Sequence, residues 1–357
     1  MGNEGKKVIV DIVCPTGGNK GGVENVLKKW TKYIDHEKYD LRLFHCHEGI
    51  AYLEEYEKAY CMRKPYEKAD VNYLANAYAT FVKEKGAPDI CIANNWPMMV
   101  YACAYVKNFF HLDSMKLVSW IHNQIAVYEK EGLGGAIEVS NADYHFAISH
   151  GIADEIKAVK ADAKIFEIGN PVDFPKVEIK DTDKNLLCYV GRLDEVKRVE
   201  LILEALSKTK NNWKLKIVGD GERKNEILEW IEAYGLESRV QMLGWSKTPW
   251  QEVEDASICI LASEYEGFAL SAFEASSSGK TVISTPVFGV AEYIKEGENG
   301  YLFPFGDVIS LVNILDDISD GKRKICNPKI CAESVKEYET SAYFKKVMNV
   351  LDSISNA

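Results

Sequence analysis

The sequence has no apolar run approaching the ~18 residues a bilayer-spanning helix needs, and no charged-then-apolar leader. That predicts a cytoplasmic protein with no membrane span and no export signal. It has no Cys-x-x-Cys pair. Its nine cysteines are scattered and odd in number, and Cys91, Cys188 and Cys259 sit inside apolar runs, where cysteine acts as a small hydrophobe. A reducing compartment fits this usage. Positive charge is not in excess: 43 Lys and Arg face 54 Asp and Glu, a formal net charge of −11. This argues against a nucleic-acid binder, because phosphate backbones need clustered cations. The acid excess falls mostly in the C-terminal half. The more balanced N-terminal half is the less repelled by an anionic surface, which leaves peripheral contact with the inner membrane face open. No repeat of solenoid period is present. The G-x-G-x-x-G spacing is missing, and Val23 stands where a Walker loop needs its lysine. A metal site is not expected: His45 and His47 share one strand without a third ligand. Asp181-Thr182-Asp183 precedes a strand rather than following one and reads as solvated charge.

At 357 residues the chain is long enough for two ordinary domains, with 46% hydrophobic and 27% charged residues. Both halves alternate strand-like and helix-like stretches, the pattern of an α/β fold with parallel sheets. In the first half, strands are expected at Lys7–Val13, Tyr39–Cys46, Asp89–Ala93, Lys116–Ile121 and Asp143–Ser149, with helices around 50–60, 71–86 and 98–110. Ser149 is placed to cap a helix starting near Gly151. A glycine loop, Pro15 to Glu24, joins the first strand to an amphipathic helix through Val26, Leu27 and Trp30. The second half restarts with Leu186–Val190, continues through Leu215–Glu222 and Val240–Trp245, and is expected to end in a helix from about 333 to 353.

The most informative stretch is Ser263 to Ala275. An apolar strand, Ala256–Ala262, runs into a glycine turn at Gly267 and then into a helix closing at Gly279-Lys280. Such turns aim free N–H groups and a positive dipole end outward, which suits a phosphate. Glu266 lies at the turn and Glu274 about two helical turns later, on roughly the same face. Carboxylates beside an anion cradle suit a ligand that combines hydroxyls with phosphates, as a nucleotide sugar does. At Gly191-Arg192-Leu193 to Lys197, a second turn places two cations at a strand end, the counter-charge a departing diphosphate needs.

Glu266 and Glu274, within E-G-F-x-L-x-x-x-E-A, resemble the Glu-x7-Glu signature of family 4 retaining glycosyltransferases of the two-domain GT-B fold. Gly21-Gly22-Val23-Glu24, Asn170-Pro171-Val172-Asp173, Gly191 to Lys197, Gly219 to Glu222, Val240 to Trp245 and Gly289 to Glu292 resemble further family segments in the same order. Arg198 departs from the pattern, which usually has glycine after the lysine. The resemblance is strongest from 186 to 303 and patchier before 120. It implies two Rossmann-like doubly wound domains facing across a cleft: 1–172 on the acceptor side and 173–332 on the donor side. The tail, 333–357, is a helix that can cross back to the first domain.

The resemblance also implies roles. Arg192 and Lys197, with backbone amides near Gly267, Phe268, Ala269 and Leu270, neutralise the diphosphate. Glu274 holds the ribose hydroxyls, Glu266 and His122 orient the hexose, Gly21 and Gly22 approach the donor, and the segment ending at Gly244 lines the base. No separate cofactor is implied; the donor, a UDP-hexose by expectation, is a substrate. The implied partner is a glycan or lipid-linked acceptor. No covalent nucleophile is evident, so front-face attack assisted by the leaving phosphate is the mechanism the family suggests. Three alternatives stay open: a nucleotide-sugar epimerase on the same fold, a non-catalytic sugar-nucleotide-binding subunit, and a two-domain NAD-dependent dehydrogenase. The last lacks its fingerprint here.

Overall fold

The structure, a computed structural model, describes residues 6–17, 21–174 and 183–357. Gly18, Asn19 and Lys20 of the first glycine loop lie outside the described residues. So does the reading of Asp181-Thr182-Asp183 as solvated charge. The chain divides into two compact units, Met1–Pro171 with Thr340–Ala357, and Val172–Glu339.

The first unit is built on seven strands: β1 (Val8–Cys14), β2 (Tyr39–His45), β3 (Ala59–Cys61), β4 (Ile90–Asn95), β5 (Lys116–Ile121), β6 (Tyr144–Ala147) and β7 (Ile165–Glu167). They pair in parallel in the order β3-β2-β1-β4-β5-β6-β7. Val10, Ile12, Leu41, Leu43, Ile90, Ile92, Leu117 and Val118 are wholly buried. That explains why the strands read as continuous apolar runs rather than alternating ones. One charged pair sits in this core: Arg42 donates to both carboxylate oxygens of Asp11, at 2.6 and 2.9 Å, and Tyr78 adds a third bond.

The second unit holds β8 (Asp183–Val190), β9 (Lys214–Val218), β10 (Val240–Gly244), β11 (Ala256–Leu261), β12 (Thr281–Ser284) and β13 (Gly300–Leu302). Their order is β10-β9-β8-β11-β12-β13, again parallel. In each sheet the strand order reverses once, between β1 and β4 and between β8 and β11. Open α/β sheets bind ligands beyond the carboxyl ends of their strands at such reversal points.

Two expectations need correction. The stretch near 50–60 is not a helix but a single 3-10 turn, Ala51–Leu53, followed by the edge strand β3. Backbone pairing with β2 wins there: Leu43 N–H donates to the Lys58 carbonyl and the Tyr56 hydroxyl to that of Leu41. The tail does not form one piece from 333. Residues up to Glu339 stay with the second unit, where Cys331 and Val335 are buried and Tyr338 packs edge-on against Phe268 and Phe273. Only the helix Thr340–Ser355 belongs to the first unit. There it buries Tyr343, Phe344, Val347, Leu351 and Ile354, and Trp30 Nε1 donates to Tyr343 Oη at 3.2 Å.

Candidate active site

In the second unit the turns after β8 and β11 meet at the reversal point. The β8 turn runs through Gly191 into a 3-10 turn, Glu195–Lys197, whose first amide partner is the Asp194 carboxylate. Close approach of the neighbouring β9 turn requires glycine. A Cβ on Gly219 would lie 1.8 Å from the Gly191 carbonyl oxygen, and its φ of +153° is itself unfavourable for other residues. The Glu264 amide donates to the Val196 carbonyl at 2.9 Å, tying the β8 and β11 turns together. Lys197 Nζ then forms an ion pair with Glu266 Oε1, and Ser263 Oγ donates to the same oxygen at 2.8 Å. Both charged side chains are only 15% exposed, so this pair sits in a partly dried site where its field is felt more strongly than on the surface.

Beyond Glu266 the chain enters the helix Leu270–Ser277 through Ala269, which adopts a left-handed conformation (φ 52°, ψ 59°) without being glycine. Among the described residues the amides of Gly267, Phe268, Ala269 and Leu270 make no hydrogen bond. Phe268 is buried and stacks on Phe273 at 4.0 Å, so its side chain anchors the turn. The result is a run of free donors at a helix start, a nest for an anion. Glu274, one turn into the helix, accepts from Trp250 Nε1 at 3.0 Å through Oε2. Gly244 ends β10 with a φ of +75°, and its carbonyl accepts from Gly219 N–H at 2.8 Å.

Arg192 is not drawn into the Lys197–Glu266 pair. Its guanidinium is 71% exposed and pairs with Asp194 at 3.1 Å. Arg198, in a left-handed conformation, turns away to Glu264 at 2.6 Å and to Glu200 at 3.5 Å. Tyr189 donates its hydroxyl to the Arg192 carbonyl at 2.6 Å; burial first, then nearby Glu266, hold its phenol far above the usual range.

In the first unit, His122 follows β5 beside the sheet's reversal point. Its Nε2 lies 2.8 Å from Asn94 Oδ1, and the Asn94 amide nitrogen points at Cys14 Sγ. That network puts the proton on Nε2 and leaves Nδ1 as an acceptor. Burial pushes the imidazole down to about 3, so it is neutral at physiological pH. The Tyr128 hydroxyl, held by Asn95 Oδ1 at 3.0 Å, accepts the His122 amide and fixes the strand end. Gly21 precedes the helix Gly22–Tyr33, and its N–H donates to Glu24 Oε2 at 3.2 Å. Glu24 is thus occupied as a cap. His45 and His47 separate, His45 to Tyr52 and His47 to the Pro65 carbonyl.

Three supporting residues escaped the sequence reading: Ser263, Trp250 and Asn94. Each acts through another side chain, and none carries a motif. Only Pro249, opening the short helix Pro249–Glu252, signals where Trp250 is set.

Residues 173–334 match the glycosyl transferases group 1 family. The chain is 34% identical over 277 residues to the lipopolysaccharide 1,6-galactosyltransferase of Escherichia coli (strain K12), covering 74% of this chain and 75% of that one. It belongs to the glycosyl transferases group 1 family. A second relative, the lipopolysaccharide 1,6-galactosyltransferase of Salmonella typhimurium, is 31% identical over 288 residues, 77% of each chain. Among solved structures, the lipopolysaccharide outer core galactosyltransferase WaaB in its apo form superposes with a TM-score of 0.83 at 25% identity, over 97% of this chain and 99% of that one. The fold of this group 1 enzyme is therefore GT-B, two Rossmann-like domains, and its reaction is glycosyl transfer.

Proposed function

We propose that this glycosyltransferase moves a hexose from a UDP-sugar to a saccharide of lipopolysaccharide or another surface polysaccharide, with retention at the anomeric carbon and without a metal ion. The observation that carries the proposal is the Lys197–Glu266 pair at the sheet's reversal point, beside the unbonded amides of Gly267–Leu270. Those amides, Lys197 and the exposed Arg192 supply the positive field a diphosphate needs as it leaves. Glu274, oriented by Trp250, takes the ribose hydroxyls; Glu266 and the Nδ1 lone pair of His122 orient the hexose. The bond from the anomeric carbon to the diphosphate oxygen breaks, and the acceptor oxygen bonds on the same face. The hydroxyl proton passes to the departing phosphate oxygen. The named activities of both relatives make UDP-galactose the first donor to try.

The test is UDP-galactose with a truncated lipopolysaccharide acceptor, with and without EDTA, on the wild type and on Lys197→Ala. Transfer is expected in both buffers, with an α-configured product when the donor is α. Lys197→Ala should lower turnover about a hundredfold while UDP affinity falls far less, because its contact strengthens as charge develops on the diphosphate. A strict need for manganese or magnesium would sink the metal-free reading. Equal losses in affinity and turnover would make Lys197 a ground-state binder.

A further inference from the structure

The reversal point of the first sheet carries a second cluster that the donor chemistry does not use. After β3, residues 62–70 run back beside the end of β2, and Asp70 closes the segment by capping the helix Val71–Lys85. The segment is fastened by backbone bonds from Met62 N–H to the His45 carbonyl and from Glu48 N–H to that of Lys64. Tyr66 thereby reaches Trp96, just past β4, with ring centroids 5.5 Å apart, and stands edge-on to His47 at 5.4 Å. Trp96 and His47 are buried, whereas Tyr66 remains 44% exposed. A partly exposed aromatic ring packed edge-on against a buried aromatic base is a platform for the C–H face of a sugar ring.

The same segment departs from the charge of the whole chain. Between residues 63 and 68 stand Arg63, Lys64 and Lys68 against Glu67, in a protein of net charge −11. Arg63, Lys64 and Lys68 are exposed and none has an ion-pair partner among the described residues; Lys64 Nζ lies 4.5 Å from the centroid of the Tyr73 ring. Cations left unpaired around an exposed aromatic face are complementary to a ligand that is both saccharide and anion.

We infer that Tyr66, Arg63 and Lys64 form the acceptor subsite, and that it takes a saccharide bearing an anionic substituent, phosphate or carboxylate. The inference rests on the glycosyl-transfer reading above and names the acceptor class for it. Tyr66 stacks the ring and Arg63 with Lys64 holds the charged group, at the sheet edge that also presents His122.

Calorimetry or saturation-transfer NMR on the full chain tests this, with UDP saturating so that its own phosphate site is filled. The probes are methyl glucoside, glucose 6-phosphate, glucuronic acid and inorganic phosphate. Glucose 6-phosphate or glucuronic acid should bind about tenfold or more tighter than methyl glucoside and than inorganic phosphate. Whichever of the two binds tighter identifies the anionic group. The double variant Arg63→Ala, Lys64→Ala should bring the charged sugars to the level of methyl glucoside, and Tyr66→Ala should weaken all three sugars. UDP affinity serves as the folding control. The inference is overturned if methyl glucoside binds as well as the charged sugars, if inorganic phosphate matches them, or if the variants leave glucose 6-phosphate binding unchanged. Loss of UDP binding in the wild type would instead sink the donor reading, and the two failures are separable.

Discussion

Glu266 and Glu274 differ in what holds them, and that difference sets how each should fail when altered. Glu266 receives Lys197 and Ser263 on one oxygen, while Glu274 accepts from the Trp250 indole through Oε2. If Glu274 holds the ribose, Glu274→Gln keeps the shape but weakens a charge-assisted acceptor. Such a bond is worth ~1.5–3 kcal/mol, so UDP should bind roughly tenfold or more weakly. Glu266→Gln touches the hexose and should leave UDP affinity nearly intact while transfer collapses. Calorimetry with UDP beside transfer rates separates the two; the reverse pattern would refute the assignment of both carboxylates. At this scale the sequence showed the charged residues, because each stands at, or one helical turn beyond, a turn between apolar strand and helix. It did not show which pairs form. Lys197 and Glu266 are far apart in the chain, and only the sheet order brings them together; Arg192, one residue beyond Gly191, goes to Asp194 instead.

At the scale of elements, the two glycine turns after β8 and β9 work as one unit. Replacing Gly219 with alanine would drive a Cβ into the Gly191 carbonyl at 1.8 Å, and backbone on both sides leaves no flexible side chain to yield. Gly219→Ala is therefore expected to cost more than about 2 kcal/mol and to loosen the turn that carries Lys197. Urea unfolding should show a lowered midpoint, with UDP affinity falling in parallel; a midpoint unchanged from wild type would mean that the turns can part without cost. Apart from the short outer strands β7 and β13, the strands of both sheets were legible in the sequence as apolar runs, since burial on both faces removes alternation. The edge strand β3 was not. Its three residues, Ala59, Tyr60 and Cys61, are too short a run to read as a strand, and its register is set by backbone bonds to β2 that a local reading cannot see.

For the molecule as a whole, acid sensitivity follows from three histidines in the first unit. Burial pushes His45 and His145 down to about 4 and His122 to about 3, in His145 with help from Lys160. In the unfolded chain each returns to about 6.5. Between these values the unfolded state binds the extra protons, so the stability these groups confer is complete above about 6.5 and lost as pH falls towards 4. His45 and His145 alone, both fully buried, account for roughly 3 kcal/mol each across that window. Urea midpoints measured at several pH values from 7.5 to 4.5 should decline through it, and a flat profile between 6.5 and 5 would contradict the account. The closing helix gives a second expectation at this scale. Burying Tyr343, Phe344, Val347, Leu351 and Ile354 is worth on the order of 10 kcal/mol, comparable with the net stability of a whole domain. Removal of residues 340–357 should therefore abolish cooperative unfolding of the first unit, as read by calorimetry. A truncated chain that kept two full transitions would show that the helix is dispensable.

That same helix fixes an order of events during synthesis. The first unit leaves the ribosome first, yet Trp30 lacks its Tyr343 partner until the last residues have been made. At ordinary elongation rates the intervening Val172–Glu339 takes on the order of 10–30 s to translate. Throughout that interval the nascent first unit exposes the apolar face that the final helix will cover, and so needs shielding. The second unit, whose chain is continuous, can finish folding before its older neighbour does.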